Sequence, residues 1–453
     1  MRKRVKIDRS SYLFDNKALA TLIIPLVVEQ LLAVLVGMAD SIMIASVGEA
    51  AVSGVSLVDN IMVLFINLFA ALATGGAVVA GQYLGQKNVK SACEASNQIV
   101  WFITIVAIGI MAIIYCCRWF ILHIVFGAID LDVMGHANTY LMIVSASIPF
   151  VALYNAGAAI FRTMGNSRIS MQVSIVMNVV NIGGNAILIY GFHRGTEGVA
   201  IPTLVSRIVA AVLIIALLCD PKRTLHIKRS FRYRPDGRMI RRILGIGVPN
   251  GLENSMFQLG KILVLSLVSS FGTYAIAANA VSNAVALFQI LPGMAINLAI
   301  TAVIARCVGA GDYEQVHYYT KKLIIITYAF IWFMNALIFL ALPFILKAYH
   351  LSSITAETTR QILYFHSISC MIIWPVSFSL PATLRAAGDA KVTMYISIAS
   401  MWIFRIAFSY ILGGALHMGV FGIWVAMVID WCVRAVFMAL RYRGGKWKLK
   451  KTI

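Results

Sequence analysis

The sequence predicts an all-α polytopic membrane protein: twelve transmembrane helices in two six-helix lobes, related by a pseudo-two-fold axis along the membrane normal. Three observations support this prediction: an apolar composition, twelve long apolar segments, and a repeat relating the two halves of the chain. Hydrophobic residues make up 60% of the 453 residues and charged residues only 12%, whereas about a quarter of a soluble domain is charged. This composition excludes a soluble enzyme, a disordered protein and a disulfide scaffold.

The apolar segments are each long enough to cross a bilayer, which takes about 20 helical residues. They lie at approximately residues 19–45, 55–80, 96–122, 138–162, 170–193, 196–219, 243–271, 279–305, 321–347, 360–385, 392–416 and 418–440. None alternates with the period of two that the strands of a membrane barrel show. The predicted organisation is an N-terminal arm (1–18), an N-lobe (19–219), a basic linker (220–242), a C-lobe (243–440) and a basic tail (441–453).

The basic residues predict the orientation of the chain. Lys and Arg number 38 against 18 Asp and Glu; with both termini in the cytoplasm, 30 of the 38 fall on the cytoplasmic side and four outside. This bias is typical of membrane proteins and predicts a multi-pass protein of a prokaryotic plasma (inner) membrane. The nine basic residues from Lys222 to Arg242 are expected to lie on anionic lipids, and no nucleic acid is expected as a partner.

The two halves of the chain match at an offset of about 224 residues. The matching pairs include Pro25 and Pro249, Glu29 and Glu253, Gly85 and Gly309, and Arg162 and Arg385. Because an even number of helices separates equivalent points, both halves have the same orientation and enclose a central cavity. A two-lobed alternating-access transporter explains this arrangement better than a channel or a membrane enzyme.

Several of these residues also resemble a known family. The resemblance rests on Pro25 and Asp40 in helix 1, Tyr83-Leu84-Gly85, the Arg-x-x-Gly-Asn/Asp motifs that begin at Arg162 and Arg385, and Asn181-x-x-x-Asn185 followed by Tyr190-Gly191. In order and duplication, these motifs resemble the multidrug and toxic compound extrusion (MATE) family over essentially the whole chain. The resemblance implies export of organic, often cationic, compounds in exchange for sodium or protons.

The same resemblance implies a cation-coupling carboxylate at Asp40, with polar partners on helices 5 and 6. A carboxylate inside a membrane helix is costly and is a functional candidate by default. At 1.5 Å rise per residue, Asp40, Asn185 and Thr203 lie roughly 8–10 Å below the outer ends of their helices, and Asn181 lies one turn deeper than Asn185. Their oxygens could together replace the hydration shell of a small cation, and Asp40 is expected to be the only carboxylate at this level.

Two alternatives to this cation site remain open. Asn and Thr side chains often form hydrogen bonds between membrane helices, and Arg207 could hold Asp40 in a permanent ion pair. The choice between Na+ and H+ is also open, because some relatives have Asp where this chain has Asn185. No other cofactor is predicted, and no ATP-binding loop is present.

The C-lobe is not expected to duplicate the cation site. Val264 stands 224 residues after Asp40, and Arg405 stands near the position equivalent to Asn181. A buried charge network is predicted there instead, formed by Lys261, Arg405, Asp430 and Arg434.

Glu29 and Glu253 are the predicted substrate-attracting residues. Each lies about 15 Å from the cytoplasmic end of its helix, where it could attract small organic cations or form hydrogen bonds within its own lobe. Weaker substrate-binding candidates are Gln30, Asn155, Gln258 and Asn283. The prediction is a monomeric cation-coupled antiporter, not an enzyme. The alternative is a flippase-like exporter of lipid-linked or polysaccharide precursors, which would need a strongly cationic cavity.

Overall fold

A computed structural model describes residues 12–127, 129–228, 233–450 and 452–453. Residues 1–11 of the predicted arm and residues 229–232 of the predicted linker lie outside them. The twelve main helices, α1 to α12, are Asn16–Ala45, Glu49–Gly85, Val89–Cys116, Leu131–Ser145 with Ile148–Thr163, Ser167–Ala186, Glu197–Leu218, Gly237–Ser269, Thr273–Gly309, Tyr313–Ala348, Ser353–Ile372 with Leu380–Ala386, Ala390–Ser400, and Gly419–Arg443.

Wider, π-helical turns extend or join several of these helices. They are Ile121–Val125 after α3, Ile187–Gly191 after α5, Pro375–Ser379 within α10, and Met401–Ala407 and Ser409–Ala415 after α11. Short helices lie at Arg118–Phe120 and Lys446–Leu449. The described part of the chain contains no strand.

The predicted all-helical membrane fold is confirmed. Within the described residues, nine helices are long and apolar enough to cross a membrane, and eleven if each of two bent pairs forms one span. The bent pairs are α4, which turns by 48°, and α10, which turns by 59°. Both resume next to a proline, Pro149 or Pro375, which lacks the N–H that would continue the helical bonding.

The remaining helix, α7, is long enough to cross a membrane but is not among the apolar candidates named above. Its 33 residues include Glu253 and Lys261 near the middle and three arginines in its first two turns. Polar residues in the middle of a membrane helix lie against other protein groups or a water-filled cavity rather than lipid. Five residues of α7, Glu253 and Lys261 among them, line a cavity that is formed mainly by the C-lobe, with Asn67 of α2 at its edge.

Two of the helices, α3 and α9, begin at capping residues that follow the repeat. Asn88 accepts a hydrogen bond from the backbone N–H of Ser91 at the start of α3, and Asp312 accepts one from Gln315 at the start of α9. The two caps are 224 residues apart, and each satisfies an otherwise free N–H of the first turn. Because such caps precede the apolar run, several helices begin earlier than the apolar segments predict.

The two lobes meet through α1 and α2 of the N-lobe and α7 and α8 of the C-lobe. On the side of the membrane that carries the chain termini, the ends of α2 and α8 cross at Gly85 and Gly309. A Cβ at Gly85 would lie 2.1 Å from the Arg306 carbonyl oxygen, and one at Gly309 would lie 1.9 Å from the Gln82 carbonyl oxygen. Only glycine permits this approach.

Two further contacts join the lobes on the same side. The backbone N–H of Phe14 donates to the Tyr319 hydroxyl at 2.9 Å, and that hydroxyl donates to the Phe14 carbonyl at 2.6 Å. The Gln82 amide donates to the Ala386 carbonyl at 2.9 Å. The lobes are therefore closed against each other at the terminus side.

Candidate functional site

Four predicted N-lobe residues form one hydrogen-bonded cluster between α1, α5 and α6. The amide nitrogen of Asn185 donates to Asp40 Oδ1 at 2.7 Å and lies 3.4 Å from Asn181 Oδ1. The amide nitrogen of Asn181 donates to the Thr203 hydroxyl at 3.2 Å. Asn181, Asn185 and Thr203 are all buried. The structure therefore brings together the residues that helix depth predicted to lie at one level.

The cluster contains oxygens that a small cation could use. Asn185 Oδ1 is buried and has no hydrogen-bond partner among the described residues, although buried polar atoms are nearly always paired. Carboxylate, amide and hydroxyl oxygens are ligands for hard cations. No group of three or more His, Cys, Asp or Glu side chains suited to a metal ion occurs among the described residues. The donor set therefore fits a weakly held monovalent ion or a proton better than a transition metal.

Arg207 does not form the ion pair with Asp40 that was one of the alternatives. Its guanidinium donates to the Ser147 hydroxyl at 2.7 Å, and no ion pair within 4 Å joins it to Asp40. Arg207 is close enough to stabilise the Asp40 carboxylate electrostatically without covering its oxygens.

A second carboxylate, Asp59 of α2, lies beside the cluster. The Tyr140 hydroxyl donates to Asp59 Oδ1 at 2.9 Å. Asp59 is close enough to Asp40 for the two negative charges to repel each other. The expectation that Asp40 is the only carboxylate at this level is therefore wrong. The signal was available, because Asp59 stands within a long apolar segment where a carboxylate is a functional candidate.

Glu29 and Glu253 each pair with an arginine of their own lobe. Arg162 Nη1 lies 3.7 Å from Glu29 Oε1, and Arg385 Nη1 lies 3.2 Å from Glu253 Oε2. Glu29 also accepts hydrogen bonds from the hydroxyls of Tyr154 at 3.1 Å and Ser170 at 2.9 Å. The repeat thus extends to side-chain contacts, since both partners of one pair correspond to both partners of the other.

The other substrate-binding candidates do not lie in one site: two are in the C-lobe and two are in the N-lobe. Gln258 and Asn283 line a C-lobe cavity of about 400 Å³ together with Glu253. Gln30 is half-buried on α1. Asn155 of α4 has a buried amide nitrogen that forms no hydrogen bond within the described part of the chain.

The predicted C-lobe charge network is only partly formed. Arg434 Nη2 lies 3.3 Å from both oxygens of Asp430, and Ser400 donates to Asp430 Oδ1 at 2.5 Å. Lys261 and Arg405 stay outside this pair: the described residues include no carboxylate within 4 Å of either.

Comparison with known proteins identifies the family. A family model described as MatE matches residues 25–187 and matches again at residues 249–411. The chain belongs to the MatE family. Both boundaries of the second match follow those of the first by 224 residues, which confirms the predicted duplication. MatE-family proteins are transporters and not enzymes, and they need no organic cofactor.

Individual relatives are similar over nearly their whole length. The chain is 26% identical to the "Uncharacterized transporter YisQ" of Bacillus subtilis, over 93% of each chain. It is 24% identical to the "Probable multidrug resistance protein NorM" of Thermotoga maritima, over 97% of this chain and 94% of that protein. A solved outward-facing multidrug resistance MATE family transporter superposes with a TM-score of 0.87 at 21% identity, covering 96% of this chain and 97% of that chain. The solved MatE structures have the same two-lobed, twelve-helix fold.

Proposed function

We propose that this MatE-family transporter is an antiporter that exports organic compounds by alternating access in exchange for Na+ or H+ bound at Asp40. The observation that carries the proposal is the N-lobe cluster. In it, an Asn amide holds a half-buried carboxylate beside a buried amide oxygen that has no partner among the residues described. Export of drugs is supported by the relatives, which include proteins named as probable multidrug resistance proteins.

The closed terminus side supports alternating access. If both termini lie in the cytoplasm, as the excess of basic residues on that side favours, the contact between Gly85 and Gly309 closes the cytoplasmic entrance. The opposite, inward-open state then requires these two helix ends to separate. The plasma membrane, a monomeric state and binding of the linker to anionic lipids belong to the same proposal.

The charge of the substrate is not restricted to cations in this proposal. The prediction of cationic substrates depended on Glu29 and Glu253 as free anions. Because Arg162 and Arg385 pair with them, the two carboxylates add little net negative charge to their surroundings. Flippase-like export of phosphate-bearing precursors is the second candidate. The basic residues of the C-lobe cavity favour it, because phosphate groups bind arginine strongly.

The test is export by purified protein in proteoliposomes, with Na+ and H+ gradients imposed separately. Wild type should export a drug under at least one gradient, and Asp40→Asn should export at background while keeping the thermal stability of wild type. The matched control is Asp132→Asn, at an exposed position at the start of α4 outside the cluster. Gradient-driven export by Asp40→Asn at the wild-type rate would refute the proposal.

A further inference from the structure

The C-lobe cavity has the opposite charge character to the N-lobe cluster. Four basic residues line it, Lys261, Arg385, Arg405 and Arg434, against one carboxylate, Glu253. Its volume of about 400 Å³ falls within the range of small-molecule sites.

Two of the four basic residues are not neutralised. Arg385 pairs with Glu253, and Arg434 pairs with Asp430. Within the part of the chain that the structure describes, the side chains of Lys261 and Arg405 have no ion-pair or hydrogen-bond partner. Lys261 is exposed to the cavity and Arg405 is half-buried, so the acidic group of an anion that enters the cavity can pair with both side chains.

The cavity wall also carries several hydrogen-bond donors without acceptors. The Nε atoms of Arg405 and Arg434 and the indole nitrogen of Trp431 are buried, and no described residue forms a hydrogen bond with them. Arg434 is 1% exposed and Trp431 is 3% exposed. Buried polar groups of native proteins rarely stay unpaired. Because these N–H groups are enclosed within the wall, they add positive electrostatic potential to the cavity but are not direct contacts for a bound ligand.

Aromatic side chains form much of the remaining wall. Trp374 stacks on Phe378 with ring centroids 5.1 Å apart, and Phe378 meets Trp431 edge-on at 5.7 Å. The Arg434 guanidinium lies 4.6 Å from the ring of Phe257 and 4.9 Å from the ring of Phe378. These rings suit the apolar body of a ligand, and they hold the guanidinium in place.

The repeat indicates that this charge is specific to the C-lobe. The N-lobe position equivalent to Lys261 is Gly37, and the position equivalent to Arg405 is Asn181 of the cation cluster. At this repeated position the N-lobe therefore has a candidate cation ligand, Asn181, whereas the C-lobe has a positively charged side chain, Arg405.

We propose that the C-lobe cavity binds an amphipathic organic anion, in which an aromatic or acyl body carries a carboxylate, sulfonate or phosphate group that contacts Lys261 and Arg405. This proposal deepens the proposed function, on which it rests for the statement that the bound anion is the exported compound. Binding itself requires no ion gradient, so the two proposals can fail separately.

The test compares two dyes that share a xanthene frame and differ in charge, the anionic carboxyfluorescein and the cationic rhodamine 123. Fluorescence anisotropy with purified full-length protein in detergent should give at least tenfold tighter binding of carboxyfluorescein. Lys261→Gln and Arg405→Gln should each weaken carboxyfluorescein binding by about tenfold or more. Lys261→Arg keeps the positive charge and should retain most of the wild-type affinity. Lys347→Gln, at an exposed position away from the cavity, should bind like wild type.

Competition against carboxyfluorescein distinguishes the source of the anion. Displacement by dihexanoyl phosphatidate but not by naphthalenesulfonate assigns a lipid phosphate, and the converse assigns a soluble aromatic anion. The proposal is overturned if carboxyfluorescein does not bind, if rhodamine 123 binds as tightly, or if a stably folded Lys261→Gln protein keeps wild-type affinity for carboxyfluorescein.

Discussion

The crossing of α2 and α8 leads to a prediction about Gly309→Ala. The added Cβ would lie 1.9 Å from the carbonyl oxygen and 2.5 Å from the carbonyl carbon of Gln82. Since these are backbone atoms and a carbon–oxygen contact needs at least ~3 Å, the two helix ends must move apart by roughly 1 Å. Overpacking of this kind costs about 1–3 kcal/mol. Only the closed state pays this cost, so its population relative to the open state should fall about 5- to 150-fold.

The change in the closed-state population can be measured from distances between spin labels at positions 90 and 321. Lys90 and Lys321 are both exposed on the terminus side. The labels are attached to cysteines introduced at these positions after the seven native cysteines have been replaced. Gly309→Ala should add a longer distance and lower the export rate. Gly37→Ala is the control, because its added Cβ would have no described atom within 4 Å beyond its own stretch of helix. If Gly309→Ala and Gly37→Ala give the same distance distribution, the close approach does not control closure.

Two further predictions concern the buried ion pairs and the orientation of the chain. Arg385→Gln should lower the thermal stability more than Arg162→Gln, because Glu29 keeps two hydroxyl donors whereas Glu253 is left as a buried, unpaired carboxylate at a cost of about 3–5 kcal/mol. Adding Glu253→Gln should recover most of the loss; equal melting temperatures for the two arginine variants would contradict this. Without the native cysteines, Leu131→Cys should react with an impermeant thiol reagent outside intact cells and Lys87→Cys should not; the reverse result would invert the topology.

Helix depth predicted much of the N-lobe cluster. Depth depends only on the fixed rise of a helix, so Asp40, Asn185 and Thr203 could be placed near one level without coordinates. Asn185 contacts Asp40 as this placement requires, whereas Thr203 contacts Asn181, one turn deeper than Asn185. The role of the cluster in coupling stays a prediction.

Packing between helices could not be predicted in the same way. Gly85 and Gly309 were visible as a repeated pair, but a sequence does not say which glycines meet across an interface. The partners of Glu29 and Glu253 were missed for a similar reason. Arg162 and Arg385 stand in the repeated motifs, yet their direction depends on the bends of α4 and α10, which set how each arginine approaches α1 or α7.

The most direct test of the claim that Asp40 couples export to an ion gradient compares two substrate fluxes catalysed by the Asp40→Asn protein in one preparation of proteoliposomes. One flux is the exchange of labelled for unlabelled substrate at equal concentrations, and the other is accumulation of substrate driven by a Na+ or H+ gradient. If Asp40 carries the coupling ion, exchange should persist and accumulation should fall to background, because alternating access survives while the ion site is lost. Accumulation at the wild-type level would contradict the claim that Asp40 couples export to an ion gradient.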